Sequence, residues 1–136
     1  MDQDWVTFCE QLRSALDAFA VGDAAPYQRC WTANDDCTVF GAFGGIARGA
    51  EDIRVRLGWA ASHDRAGRYT RFEPVTDLLG SDLAVLAVLE RIESLDEHGA
   101  TLVRERRLTH VARKEANEWK VVHQHSDPLV DAQPPI

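Results

Sequence analysis

Apolar residues in the first part of the chain recur at three- and four-residue steps: Trp5, Phe8, Cys9, Leu12, Leu16, Phe19 and Ala20. That spacing marks one face of an α-helix and predicts an amphipathic helix over residues 4–21, ended by Gly22. Asp23 is placed to cap a second, short helix over about 24–32, with Pro26 in its first turn and Tyr27, Cys30 and Trp31 facing inward. Asn34-Asp35-Asp36 then turns the chain into a β-prone run, Cys37 to Phe40, and the glycine-bearing stretch Gly41 to Gly49 makes a hairpin-like return. Residues 50–66 carry Ile53, Val55, Leu57, Trp59 and Ala60 without a proline, which predicts a third helix with a broad apolar stripe.

The pattern changes in the second half. Runs at 69–79, 82–95, 101–113 and 119–127 read as strands, separated by Gly80-Ser81, Glu97-His98-Gly99 and Ala116-Asn117. Short turns between successive strands predict an antiparallel meander. From Leu83 to Leu89 the apolar character does not alternate, so both faces of that strand are expected to be covered, one by helices and the other by a second subunit. Helices first and a curved sheet afterwards give an α+β fold, with three N-terminal helices packed into the concave face of the sheet. One domain over residues 1–128 and a short proline-bearing tail at 129–136 account for the chain.

Composition narrows the function classes. A net charge of −7 repels phosphate backbones, so nucleic acid is not an expected partner. No apolar run approaches the roughly 20 residues that a bilayer requires, and no membrane partner is expected. The N-terminus has no basic, then apolar, leader pattern, and a cytoplasmic location is the default expectation. Cys9, Cys30 and Cys37 form no C-x-x-C pair and read as small buried hydrophobes.

The candidate chemistry lies in the last two strands. If Ala116-Asn117 is a two-residue turn, Glu115 faces Glu118, His110 faces His123 and Leu108 faces His125. All three imidazoles then share one face with Trp119 and Val121, and Asp127 is placed to orient one ring. On a pocket wall His110, His123 and His125 would act as general base and acid; elsewhere they would make structural hydrogen bonds or a subunit contact. A one-residue bulge would break the shared face. No metal site is assigned, because spacing fixes no further ligand beside the histidines. Arg104-Glu105-Arg106-Arg107 divides its charges between two strand faces, either as solvated or internally paired arginines or as an anion site inside a pocket. Asp77 and Glu90 are the secondary acid candidates.

The element order, Trp31, Thr38-Val39-Phe40-Gly41, the Gly44–Gly49 stretch and the ending Glu118 to Asp127 together resemble the SnoaL-like and ketosteroid-isomerase-like branches of the nuclear-transport-factor-2-like superfamily. The resemblance implies a cone-shaped pocket and a homodimer formed through the sheet. Trp31, Phe40 and Trp59 lie on elements expected to converge over the sheet, either as apolar ligand-binding walls or as ordinary core. Ketosteroid isomerisation is not expected, since the family's aspartate base would fall at Gly41 and its tyrosine at Ala15. Two readings follow. One is a cofactor-independent protein that binds a small apolar or weakly anionic organic ligand in a pocket of roughly 300 Å³ or more, with or without proton-transfer chemistry. The other is a non-enzymatic dimerisation or scaffold module.

Overall fold

A computed structural model describes residues 2–135. Helix α1 spans Gln3–Ala20, and Asp2 caps it by accepting hydrogen bonds from the backbone N–H groups of Asp4 and Trp5. Its buried stripe, Trp5, Phe8, Leu12, Ala15, Leu16 and Ala20, follows the spacing seen in the sequence. Helix α2 is one short segment, Ala25–Arg29, and buries Tyr27. Strand β1 (Thr38–Phe40) turns back into β2 (Ala47–Arg48), which leads directly into helix α3 (Ala50–Ala61).

Helix α3 ends five residues before the predicted residue 66. Residues 62–64 turn the chain, and β3 (Arg65–Leu79) already begins at Arg65. Gly67, just past the predicted helix end, serves a close approach. A Cβ there would lie 2.8 Å from the carbonyl carbon and Cβ of Ala20, so only glycine lets β3 pass the end of α1.

Strands β4 (Leu83–Leu95), β5 (Thr101–Glu115) and β6 (Glu118–Pro128) complete the predicted antiparallel meander. The six-stranded curved sheet has the order β2-β1-β6-β5-β4-β3, and β1 joins it by parallel pairing to β6, Thr38 beside His123. Along β4 the inward residues Ala84, Leu86, Val88, Glu90, Ile92 and Ser94 are all buried against the helical side. The outward Val85, Ala87 and Leu89 are half-buried, so the continuous apolar run does serve two faces. No helix among the described residues is long and apolar enough to cross a membrane.

The closing hairpin turns at Ala116 and Asn117, both with left-handed backbone, and Glu115 faces Glu118 as expected. The register beyond is not the expected one. Ala112 pairs with Val121 but Val111 pairs with His123, so Val122 is an extra residue in β6. His110 therefore faces Gln124, and Leu108 faces Ser126. The bulge keeps His110 on the inner face with Trp119 and Val121, but sends His123, His125 and Asp127 to the outer face.

Candidate functional site

A cavity of about 60 Å³ lies between the helices and the inner sheet face. Its apolar wall includes Leu16, Phe19, Val39, Leu57, Ile92 and Leu108, while Glu90, Arg106, Tyr69, Asp64, Gln124 and Ser126 supply polar groups. Phe43, in the loop between β1 and β2, stands at its edge. The Arg56 guanidinium donates 2.8 Å to the Gly44 carbonyl and ties that loop to α3. The space is far smaller than the pocket expected from sequence.

The alternation of β5 puts Arg104 and Arg106 on the inner face and Glu105 and Arg107 on the outer one, as the strand period requires. Arg104 pairs with buried Asp64 and donates 3.2 Å to Ser94 Oγ. Burial, then the neighbouring Arg106, lowers the Arg104 pKa to about 10. Arg106 sits directly across the ladder from Glu90. Arg106 Nη1 and Glu90 Oε1 are 3.9 Å apart, within ion-pair range and too far for a hydrogen bond.

Glu90 is only 3% exposed, and its Oε2 has no hydrogen-bond partner. Burial outweighs the attraction of Arg106 and Arg13 and pushes its carboxyl up to about 7. Ser126 Oγ, on the same cavity wall, is also buried without a partner. Tyr69 is held well above the usual phenol range, first by burial and then by Glu90. These groups form an incompletely satisfied polar cluster in an apolar enclosure, the setting in which a ligand's polar atoms gain most.

Deeper in, Tyr27 Oη and His110 Nε2 are 2.6 Å apart. Burial lowers the His110 pKa to about 3, with His123 adding to the shift, so this imidazole is neutral at ordinary pH. Its Nδ1 is buried without a partner.

The other predicted site residues lie elsewhere. His123 bonds Thr38 Oγ1 through Nδ1 at 2.6 Å, and Phe40 packs edge-on against both His123 and His125 on the outer face. Asp127 accepts two hydrogen bonds from Arg107 there, at 2.8 and 2.9 Å, and lies 3.8 Å from His125 Nε2. The three histidines thus do not form one group; the bulge at Val122 divides them. Trp31 is core, edge-on to Tyr27, and outside the cavity wall. Trp59 is 44% exposed and packs on Phe43 and His63 beyond the cavity edge. Asp77 accepts from Trp5 Nε1 at 3.0 Å.

Glu90 and the inward arginines, secondary in the sequence reading, line or adjoin the cavity. The signal available was the abrupt charge at the end of an apolar strand, together with arginines two residues apart.

The family described as the calcium/calmodulin dependent protein kinase II association domain matches residues 1–129. No curated protein matches the chain. Among solved structures, the association domain of C. elegans CaMKII is 25% identical with a TM-score of 0.67, covering 92% of this chain and 93% of its own. A nuclear transport factor 2-like superfamily protein from Salmonella enterica serovar Typhimurium superposes with a TM-score of 0.80 at 15% identity, covering 96% and 92%. A ketosteroid isomerase-like protein from Erwinia carotovora atroseptica gives 0.77 at 14% identity, covering 96% and 100%. The fold is the one the resemblance implied.

Proposed function

This chain belongs to the calcium/calmodulin dependent protein kinase II association-domain family, and from that premise we propose that it is a small-molecule-binding protein whose cone takes a short organic carboxylate. The observation that carries this reading is Arg106, directed into the cavity opposite an acid that makes no hydrogen bond to it. A ligand carboxylate would accept the donors that Glu90 leaves free, while the apolar wall covers a short carbon chain. Binding is favoured over proton-transfer catalysis, because His110 is held neutral against Tyr27 and His123, His125 and Asp127 lie on the opposite sheet face.

Calorimetric titration with acetate, propionate and butyrate at about pH 6 tests the reading, a pH at which a buried acid with a raised pKa keeps its proton. Saturable binding by one of them is expected, and Arg106→Gln is expected to weaken it about thirtyfold or more, the cost of removing one buried charge partner. Absence of binding to all three refutes it.

A second reading has its own observation. Val85, Ala87, Leu89 and Val111 form a half-buried apolar patch on the outer face of β4 and β5, bordered by Arg91, Glu93, Glu105 and Arg107. We propose that a second copy of the chain covers it, forming a homo-oligomer through the sheet, in keeping with a family named for association. Sedimentation velocity tests this: Leu89→Asp is expected to shift the protein to monomer, and a monomeric wild type would refute it.

A further inference from the structure

We propose that anion binding in the cone is proton-coupled, with Glu90 taking up one proton as a carboxylate enters beside Arg106. The inference rests on the small-carboxylate reading and specifies how that site is regulated. Four observations support it. Glu90 and Arg106 are direct cross-strand partners on the inner face, so a ligand reaching the guanidinium also meets the carboxyl group. Their 3.9 Å separation leaves the arginine donors uncommitted. Glu90 Oε2 is buried, unpartnered and on the cavity wall. Finally, the enclosure is apolar and about 60 Å³, so the incoming carboxylate cannot keep its distance from Glu90.

Two ionised carboxylates in this low-dielectric space would share the Arg106 guanidinium, since Arg56, the other arginine on the wall, is engaged with the Gly44 carbonyl and the Trp59 ring. Like charges so placed hold at least one proton between them. With Glu90 protonated, its O–H donates to one ligand oxygen and Arg106 donates to the other, giving a short charge-assisted hydrogen bond in place of a repulsion. The proton comes from solvent, and the complex gains one proton and one carboxylate together.

The surrounding charges leave Glu90 as the group that adjusts. From α1, Arg13 is paired with Asp17 at 2.5 Å and stacked on Tyr69 and Phe72. Tyr27 from α2 is engaged with His110, whose imidazole is already neutral. Asp64, following α3, is committed to Arg104. Tyr69 from β3 stays protonated, and β6 contributes only the uncharged Gln124 and Ser126. The Glu90 carboxyl, raised by burial to about 7, is positioned to exchange its proton near neutrality.

The test titrates the intact protein with acetate, propionate and butyrate across about pH 5.5 to 9, where the probes stay ionised. Each pH is repeated in two buffers of unlike ionisation enthalpy, so that proton uptake is counted directly. Dissociation constants are expected to be flat below about pH 7 and to rise about tenfold per pH unit above it. Proton uptake is expected to climb towards about one per ligand over the same range. Glu90→Gln, which mimics the acid form, is expected to bind with little pH dependence and no uptake.

Wild-type binding with constant affinity and no uptake overturns the coupling while leaving the carboxylate site standing. Equal pH dependence in wild type and Glu90→Gln assigns the proton elsewhere and overturns the role of Glu90. No binding of any probe overturns the site itself and the coupling with it. If the variant does not fold, the wild-type proton count alone decides between uptake and its absence.

Discussion

Replacing Glu90 by glutamine should change how folding stability responds to pH, without any ligand present. In the unfolded chain this acid ionises near its ordinary value of 4.5, while in the folded protein burial moves ionisation to about 7. Between those values the native state keeps a proton that the unfolded state has lost. Unfolding therefore releases a proton, and rising pH favours it. The stability associated with the neutral acid is fully present below pH 4.5 and is lost as pH rises through about 7.

At about 1.4 kcal/mol per pH unit, the loss across that window is about 3 kcal/mol. Glutamine has the same shape and no ionisation, so the variant escapes this loss. Urea denaturation of both proteins at a series of pH values isolates the effect, because every other titrating group cancels in the difference. The gain from Glu90→Gln, relative to its value at about pH 4, should grow to about 3 kcal/mol by about pH 8, or roughly 10 °C in melting temperature. A difference that stays constant with pH would refute the reasoning, because it would mean that the folded protein compensates the carboxylate as well as water does.

Other expectations follow from single contacts. Gly67→Ala forces a Cβ against the backbone of Ala20 and should cost about 1–3 kcal/mol in denaturant unfolding, with unchanged ellipticity if the strand shifts to accommodate it. Tyr27→Phe removes the 2.6 Å partner of His110 and leaves a second ring nitrogen unpaired, a loss of about 1–3 kcal/mol by the same assay. Arg107→Ala on the outer face breaks an ion pair whose arginine side chain is 61% exposed, and urea denaturation should show monomer stability unchanged within its error. Burial raises the Cys9 thiol to about 11, so its reaction with a disulfide reagent at neutral pH should be slow in the native protein and fast in urea.

Much of the fold was legible because local signals agreed with the tertiary outcome. The three- and four-residue spacing in α1 became its buried stripe, and the turn residues between the last four strands delimit the meander. Local sequence failed where a distant segment decided the structure. Gly67 follows the predicted end of the third helix, but its reason for being glycine is Ala20, forty-seven positions earlier. The parallel pairing of β1 with β6 joins segments with no local signature of each other.

The site was harder still. Strand period correctly placed Arg104 and Arg106 on one face, yet which face met the cavity depended on the whole sheet. The histidines were misplaced by a single residue of register. Nothing in Lys120-Val121-Val122-His123 distinguishes a bulge from regular strand, since two valines fit either.

That extra residue gives β6 an unusual kind of redundancy. If Val122 were drawn into the ladder, the two sides of the strand would exchange from His123 onward, whereas deleting it leaves Val121 and His123 on Ala112 and Val111 and keeps both sides as they are. In that unbulged strand His123 and His125 would turn toward the cavity, and Gln124 and Ser126 would turn to the exterior, if Val122 were kept and paired. A scan of single deletions would therefore find in Val122 a residue that the β5–β6 ladder can lose without changing its interior.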